Sequence, residues 1–376
     1  MTDGNGDDAE YQRKVDEAFA KRMKHLARKL NIVAVGTVSA GKSSVLNALL
    51  GCSPTQPKFE VKAKAGTTQH IRVEALNDCV QIVDSPGLDD IRAENSEVTR
   101  KFLERVDVGL FVMSGAADEA QRKNYEELRK TAKRTFVVLN QIDKYDDLDP
   151  SELEEVMDQW RSSLGIDLIF PTCAKGFNRA ARVGSVPDLR GIPELRNAIY
   201  AFLETEGTAV LLDAIMDDKR AAVLKVIASA CAAVTVEAFI PGSAVYITAT
   251  QATAIATIYY LYTGRVMSKS QALGAIPAFA AQAVGTSLFL AAKSFLPPTG
   301  IVDAAAAVVA LGVTLGMLLA VNTLFASGAE LEDGAVLRAA FAQSRGRAAE
   351  ALRGTSIADW KRETFWRDLL RRLMYA

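Results

Sequence analysis

The sequence has few of the side chains that form zinc sites or disulfide frameworks. Four cysteines and two histidines occur among 376 residues. The cysteines, Cys52, Cys79, Cys173 and Cys231, are far apart, and no two form a CxxC pair. The sequence therefore indicates neither a zinc site nor a disulfide framework, and we expect a reducing, cytoplasmic setting.

An excess of one sign of charge is also missing. Lysine and arginine number 44 against 45 acidic residues, so the net charge is −1. A general nucleic-acid binder usually carries a basic field, and we expect no nucleic-acid partner. The first ten residues, MTDGNGDDAE, lack a basic region followed by an apolar run, so we expect no secretory signal there.

Charge is absent altogether from three long stretches, residues 238–264, 271–292 and 304–329. Composition accordingly predicts four parts. These are an amphipathic helix at 1–30, a charged domain at 31–207, an apolar Ala/Gly-rich helical domain at 208–329 and charged amphipathic helices at 330–376. Breaks at proline and glycine divide the apolar domain into segments at about 221–240, 243–264, 271–296 and 301–326.

Segments 243–264, 271–292 and 304–326 are long and apolar enough to cross a bilayer as helices. Arg265 and Lys269, in the first connection, run against the positive-inside tendency if the flanking segments form a hairpin. The alternative is a soluble or peripheral bundle of closely packed small-residue helices. We expect association with the cytoplasmic face of a membrane, integral or peripheral, or a cytoplasmic protein if the domain is soluble.

Amphipathic helices are predicted at both ends of the chain. Near the start, apolar residues recur at spacings of three and four: Tyr11, Val15, Phe19, Met23, Leu26 and Leu30. Near the end, Ser356 is a candidate N-cap for a helix with a Trp/Leu face and an Arg/Lys face. That last helix either lies at a membrane interface or docks on the N-terminal helix.

From residue 31 to 207 the pattern alternates strands with helices, which predicts an α/β fold with a mostly parallel six-stranded sheet. The strands are predicted at NIVAVG, IRVEAL, CVQIVD, DVGLFVM, TFVVLN and DLIFPT. The helices are predicted at SSVLNALLG, EAQRKNYEELRKTAK, SELEEVMDQWRSSLG and IPELRNAIYAFLE. Strands rich in Val, Ile and Leu suit a sheet covered on both faces.

A phosphate-binding loop of the form GxxxxGK[ST] follows the first strand and precedes a helix. The loop N–H groups and the helix N-terminus are suited to phosphates, Lys42 to the β- and γ-phosphates, and Ser43 to Mg²⁺. The nucleotide contacts predicted here are Gly36, Ser39, Ala40, Gly41, Lys42, Ser43 and Ser44. Lys42 is also predicted to act in catalysis.

Two further motifs are suited to the metal and the γ-phosphate. Asp84 follows the third strand in Asp-Ser-Pro-Gly, where its carboxylate can hold Mg²⁺ and the Gly87 N–H can contact the γ-phosphate. Thr67 and Thr68 lie between the P-loop helix and the next strand. We favour Thr68 as the residue that closes on Mg²⁺ and nucleotide.

A guanine site is predicted at the ends of the fifth and sixth strands. Asn140-Gln141-Ile142-Asp143 supplies a carboxylate that can accept from N1 and N2 of guanine, a donor pair that adenine lacks. The backbone of Ala174 and Lys175, within Thr-Cys-Ala-Lys, is suited to the guanine O6. Asn140 is included in the site.

These motifs, in this order, resemble the Era/TrmE-like and dynamin-like, translation-factor-related GTPases over residues 31–207. Ala-Gly-Thr-Thr-Gln-His is similar to the TrmE-type switch, and Ser-Ala-Gly-Lys-Ser-Ser-Val-Leu-Asn-Ala-Leu-Leu-Gly is similar to dynamin P-loops. The resemblance implies a Ras-like P-loop G domain that binds GTP or GDP with Mg²⁺. Gln141 departs from the Asn-Lys-x-Asp form, which bears on affinity. Residues 221–329 resemble an uncharacterised apolar domain fused to some bacterial Era-like GTPases.

The resemblance also bears on catalysis. Leu88 stands where Ras-like enzymes have a water-orienting glutamine, so slow intrinsic hydrolysis is expected. Ser39 matches the dynamin P-loop serine that helps to hold a monovalent cation, which implies K⁺ or Na⁺ binding and dimerisation through the GTPase domains. Alternatively, Ser39 is only a small residue that the loop tolerates.

The function predicted from the sequence is a membrane-associated GTPase, acting as a switch or remodelling protein and forming a homodimer through its G domains. Two alternatives stay open. One is a cytosolic Era-type assembly GTPase, and the other is a GTP-binding scaffold with little turnover.

Overall fold

A computed structural model describes residues 4–26, 28–37, 39–59, 72–85, 104–117, 119–177, 186–240, 243–280, 301–329 and 334–375. Contacts within the chain define two compact units. One spans Arg28–Asp218, and the other joins Met1–Ala27 to Lys219–Ala376. In chain order, the first unit is therefore inserted into the second. The four-part division by composition stays a prediction.

The chain starts with helix α1 (Gly4–Arg22) and a 3₁₀ turn (Met23–His25), both in the discontinuous unit. The strands of the Arg28–Asp218 unit are β1 (Leu30–Val35), β2 (Arg72–Ala75), β3 (Val80–Ser85), β4 (Val106–Met113), β5 (Ala132–Asn140) and β6 (Phe170–Thr172). Its helices are α2 (Lys42–Leu49), α3 (Glu119–Thr131), α4 (Pro150–Leu164), α5 (Ile192–Glu206) and α6 (Ala209–Asp213).

The six strands form one sheet in the order β2-β3-β1-β4-β5-β6. β2 runs antiparallel to β3, and the remaining neighbours are parallel. The predicted α/β class and the mostly parallel six-stranded sheet are confirmed. Because the parallel strands all end at one edge, the loops that follow them meet there.

Side chains alternate between the two faces of the sheet, and both faces are buried. On one face, Val33 and Val35 join a cluster with Trp160 of α4 and Leu128 of α3. On the other face, Ile32, Ile82 and Leu110 line a small apolar space with residues of α2 and α5. The Val/Ile/Leu-rich strands are thus covered on both sides by helices.

The discontinuous unit is helical over its described residues. After α1 it contains α7 (Arg220–Glu237), α8 (Ser243–Thr263), α9 (Lys269–Ala280), α10 (Ile301–Ala326), α11 (Gly334–Leu352), α12 (Ile357–Trp360) and α13 (Glu363–Tyr375). α10 packs against α7, α8 and α11, and α1 packs on α8. The part of segment 271–296 beyond residue 280 lies outside the described residues.

Polar side chains tie these helices together in the interior. Gln251 of α8 donates to Thr314 of α10 at 2.8 Å, and both are buried. Glu237 of α7 pairs with Arg22 of α1 at 2.7 Å and accepts from Thr250 of α8 at 2.8 and 2.9 Å. The N-terminal helix is therefore part of this unit through an ion pair as well as apolar packing.

Two predictions at the chain ends need correction. Leu30 is not the last residue of the first helix but the first residue of β1, because it pairs with Val80 of β3 and its N–H donates to the carbonyl of Cys79, the residue before β3, at 2.8 Å. This pairing overrides the helical periodicity. The tail is not one helix from Ser356, since α12 ends at Trp360 and α13 starts at Glu363. Ser356 does cap α12, with a capping box to Asp359.

The apolar face of α13 packs chiefly on α7, where Trp366 and Leu370 are fully buried. The tail therefore docks within its own unit, on α7 rather than on the N-terminal helix that we weighed as its partner. Among the described residues, one helix segment, Ala307–Ala326, is long and apolar enough to cross a membrane, with a mean hydropathy of 2.1. Within the unit, 67% of that segment is buried.

Candidate nucleotide-binding site

The P-loop backbone follows β1 in a conformation that depends on two glycines. A Cβ on Gly36, whose φ is +152°, would lie 1.7 Å from the carbonyl oxygen of Val112. Gly41, with φ +85°, precedes α2, and a Cβ there would lie 2.4 Å from Nδ2 of Asn140. At Gly36 the obstructing atom is backbone, so no side chain fits there. At Gly41 the positive φ and the nearby Asn140 amide both favour glycine.

Lys42, the first residue of α2, folds back on the loop. Its ammonium donates to the carbonyls of Gly36 and Thr37, each at 3.0 Å, and only 9% of the residue is exposed. Burial lowers the pKa of Lys42, and the charge of Asp84 partly offsets this effect. A buried cation within a glycine loop is suited to a phosphate group.

Ser43 and Asp84 form the predicted metal pair. The Ser43 hydroxyl donates to Oδ2 of Asp84, which lies near the end of β3. Burial raises the pKa of Asp84, while the bond from Ser43 and the charge of Lys42 lower it. A hydroxyl and a carboxylate oxygen side by side are the ligands that Mg²⁺ prefers, so these residues fit a magnesium site.

The end of β5 is bonded to the P-loop at two points. Nδ2 of Asn140 donates to the Ala40 carbonyl at 2.8 Å, and its Oδ1 accepts from the Thr172 hydroxyl at 3.3 Å. Nε2 of Gln141 donates to the Ser39 carbonyl at 2.6 Å. Asn140 is buried, so it connects the P-loop to β5 and β6 instead of presenting its amide to solvent.

Asp143 lies on the 3₁₀ turn Ile142–Tyr145, beside the loop that follows β6. Lys175 pairs with its Oδ2 at 3.0 Å, and the Cys173 thiol donates to its Oδ1 at 3.5 Å. Burial is the main cause that raises the pKa of Cys173, to about 12, so the thiol keeps its proton and acts as a donor. The structure thus brings the carboxylate and the Cys-Ala-Lys loop together, as the motifs predict.

The other predicted residues are placed unequally. Ser39 is exposed, Ala40 is fully buried, and Ser44 is partly buried in the first turn of α2. Ala174 is buried next to Lys175. Thr67, Thr68 and Gly87 lie outside the described residues, as does Leu88.

Sequence reasoning missed two arginines that bond the elements carrying this site, one at the far end of α2 and one beside the Asp143 turn. Arg196 of α5 donates to the carbonyls of Ala48 and Leu49, at the end of α2, at 2.7 and 2.9 Å. Arg190 bonds Asp146 and Asp188. Neither has a motif signal, because Arg196 lies 148 residues from Ala48 and Arg190 lies 44 residues from Asp146.

Comparison with known proteins relates part of this chain to GTPases. Residues 31–141 match the family model described as 50S ribosome-binding GTPase. The GTPase Der of Nautilia profundicola is 30% identical over 184 residues, which cover 46% of this chain and 35% of that protein. The tRNA modification GTPase MnmE of Natranaerobius thermophilus is 28% identical over 137 residues, which cover 35% of this chain and 29% of that protein.

Among solved structures, Era of Aquifex aeolicus bound to GDP·AlF₄⁻ is 27% identical, with 39% of this chain and 52% of that chain covered and a TM-score of 0.29. The chain spans about a third of the length of the curated relatives that it matches. The dynamin-like resemblance stays a prediction. On its P-loop, its strand-end motifs and these relatives, the chain contains a P-loop GTPase domain related to those of Der and MnmE.

Proposed function

We propose that the chain binds and hydrolyses GTP and works as a membrane-associated nucleotide switch. The observation that carries the hydrolytic part is the meeting of Lys42, the Ser43–Asp84 pair and Asp143 at one edge of the sheet. That edge combines a phosphate cradle, a metal pair and a guanine-selecting carboxylate, the parts that phosphoryl transfer from GTP needs.

Guanine selection rests on Asp143. Its side chain is 20% exposed and is held between Lys175 and the Cys173 thiol. A carboxylate held in this way accepts from N1 and N2 of guanine, and the Ala174 N–H donates to O6. Adenine offers an amino group where O6 would be and lacks the N1 donor, so we propose strong discrimination against ATP.

Catalysis in this site depends on charge stabilisation more than on a base. Lys42 would stabilise charge that develops on the β- and γ-phosphates, and Ser43 with Asp84 would hold Mg²⁺. When bound, Mg²⁺ neutralises phosphate charge in the transition state. Thr68 and Gly87 are proposed to complete the γ-phosphate contacts. Because the sequence has Leu88 where Ras-like enzymes have a water-orienting glutamine, we propose slow turnover by the isolated chain.

Turnover separates this proposal from a non-hydrolysing scaffold. Phosphate release from GTP is measured at saturating substrate with wild-type protein and Lys42→Ala. Lys42→Ala should lose at least about a hundredfold, since it removes the buried cation that contacts the transferred group. Wild-type turnover no faster than that of Lys42→Ala would reject the proposed GTP hydrolysis and would favour the non-hydrolysing scaffold.

Ser39 supports a second part of the proposed function, which is dimerisation of GTPase domains around a monovalent cation. Ser39 is exposed on the P-loop with a left-handed backbone (φ 68°), so a second domain has access to it. Rates are compared in KCl, NaCl and choline chloride over a range of protein concentrations. A rate that depends on both cation and concentration supports this part of the proposed function, whereas equal rates throughout reject it.

Membrane association through the helical unit is supported by Ala307–Ala326 and by exposed apolar side chains, including Tyr246 and Val308. The face of α13 that carries Trp366 is buried within the unit, so it contributes no free interfacial surface. We therefore propose that contact with the cytoplasmic face of a membrane is made by the Ala/Gly-rich helices.

Flotation with liposomes and a carbonate wash of membranes from expressing cells test this part. Retention after carbonate means an embedded helical unit. Release by carbonate together with flotation means peripheral contact. Absence of the protein from both the floated liposomes and the carbonate-washed membranes would reject membrane association. The helical unit would then be a soluble domain.

A second candidate is favoured by the relatives, because MnmE proteins are named as tRNA modification GTPases. On that alternative the chain acts on RNA in the cytoplasm. Sequencing of RNA that co-purifies with wild-type protein, compared with Lys42→Ala, decides it. Enrichment of one RNA class in the wild-type sample alone would favour this candidate over the membrane.

A further inference from the structure

The two loops that are proposed to hold guanine come from different strands. The first, residues 141–146, follows β5 and carries Asp143, while the second, residues 173–177, follows β6 and carries Ala174. A base that bonds both loops is held well only if the loops keep a fixed separation, because hydrogen bonds weaken steeply with small errors of distance and angle.

Arg190 connects these loops. Its two terminal nitrogens donate to the two oxygens of Asp146, at 2.8 and 2.7 Å. Its Nε donates to the Asp188 carboxylate at 3.1 and 3.0 Å. This is the paired geometry that a planar guanidinium makes and an ammonium cannot reproduce.

The main chain of the same segment is fastened to the second loop. The Cys173 N–H donates to the Arg190 carbonyl at 2.8 Å. Lys175 and Asp188 exchange both backbone bonds, each at 3.1 Å. Arg190 is therefore fixed to the second loop by its backbone, and its side chain reaches the first loop.

The first-loop residue that Arg190 bonds lies one turn from the proposed guanine ligand. The Asp146 N–H donates to the Asp143 carbonyl at 3.4 Å, and Asp146 caps the C-terminal end of the 3₁₀ turn that carries Asp143. Arg190 lowers the pKa of Asp146 below its ordinary value, so the carboxylate stays ionised at neutral pH. Lys175 of the second loop adds a further link between the two loops, because it pairs with Asp143 itself.

We propose that Arg190 is a positioning residue for guanine recognition, which sets the spacing between the Asp143 turn and the Cys-Ala-Lys loop without touching the nucleotide. The inference rests on the proposed function, since it assigns how the guanine side of that site is held. It adds a residue that lies outside every motif on which the nucleotide site was predicted.

The test compares Arg190→Ala and Arg190→Lys with Arg122→Ala, by titration with fluorescent GDP and GTP and by competition with IDP, which lacks the N2 donor. Arg122 is a matched control, because it also pairs with two carboxylates, Glu119 and Glu126, but on the surface of α3. Arg190→Ala should weaken the binding of GDP and of GTP equally, by about fivefold, as expected for the loss of partly exposed ion pairs.

Two more readouts distinguish positioning from a general structural role. The preference for GDP over IDP should narrow in Arg190→Ala, because Asp143 is then less well aligned with N2. In GTP turnover, the loss should appear in KM and not in kcat. Arg190→Lys should recover only part of the affinity, and Arg122→Ala should match wild type.

Unchanged affinity in Arg190→Ala, or a loss confined to GTP, would overturn the inference. If Arg190→Ala fails to fold by circular dichroism, Asp146→Asn takes its place, with a smaller loss for both nucleotides expected and an unchanged affinity counting against the inference. Failure of wild-type protein to bind guanine nucleotides more tightly than Lys42→Ala would instead reject the proposed function itself.

Discussion

The side-chain amide of Gln141 donates to the carbonyl of Ser39 at 2.6 Å, and both residues have a left-handed φ of 68°. Such a conformation is uncommon outside glycine and costs about 1 kcal/mol or more at each residue, so neighbouring contacts must hold it. The bond joins the loop that follows β5 to the P-loop. Gln141, which departs from the Asn-Lys-x-Asp form, thus has a contact of its own.

Gln141→Ala should weaken nucleotide binding about three- to tenfold, because an exposed side-chain hydrogen bond contributes about 0.5–1.5 kcal/mol. Gln141→Lys is the control, since an ammonium in that position can donate to the same carbonyl. Titration with fluorescent GDP measures both. Equal affinities for wild type and Gln141→Ala would mean that the bond does not support the site.

Asp84→Asn should shift the magnesium dependence of GTP turnover to higher concentrations and lower the maximal rate by at least about tenfold, because a neutral amide is a weaker ligand for a hard cation. Ser43→Ala should act in the same direction. Rates are measured across a Mg²⁺ titration that starts from EDTA-treated protein. An unchanged titration curve for both variants would remove the Ser43–Asp84 pair as the metal site.

The stability of the helical unit should depend on the ionisation of Glu237. Burial is the main cause that raises the pKa of Glu237, with Thr250 and Arg22 opposing it. The folded state then holds this proton more firmly than the unfolded state. The free energy of unfolding therefore falls as pH rises from the ordinary glutamate pKa of 4.5 through the raised folded value.

Glu237→Gln should flatten that slope, and the exposed Glu350→Gln serves as the control. Urea unfolding followed by circular dichroism at several pH values between about 4 and 7 measures the difference. Parallel pH profiles for wild type and Glu237→Gln would show that the carboxyl does not titrate differently on folding.

Arg196→Met should destabilise the GTPase unit by about 1–3 kcal/mol, because it removes a charged donor from carbonyls at the end of the P-loop helix. Methionine keeps much of the apolar stem in place, so the loss reports the guanidinium bonds. Arg129→Met, on an exposed position of α3, is the control. Equal denaturant midpoints for the two variants would show that the bonds from Arg196 to the end of α2 do not stabilise the GTPase unit.

Much of the GTPase unit was predictable because short motifs sit at the ends of buried strands. Recognising the strands that precede or carry Lys42, Asp84 and Asn140 was enough to predict that these residues share one site, because parallel strands bring their carboxyl ends together. The motif gave Asn140 as a nucleotide contact, but only the structure shows its amide bonded to the Ala40 carbonyl.

Other features depended on contacts distant in sequence. Leu30 fits a helical periodicity equally well as the start of a strand, and only pairing with β3 decides between them. Arg190 and Arg196 lie in stretches without a motif. The docking of the tail on α7 could not be read from an amphipathic pattern, because such a pattern does not identify its partner.

The ion pair between Arg22 and Glu237 joins residues that are 215 positions apart, with the GTPase unit between them. At translation rates of about 5–20 residues per second, roughly 10 to 40 seconds pass between synthesis of the two partners. During that interval helix α1 has been synthesised but its packing partners α7 and α8 have not. The GTPase unit is completed in the same interval and has time to fold. The order of synthesis thus makes the helical unit the last part of the chain to complete its fold, after the GTPase unit has been synthesised.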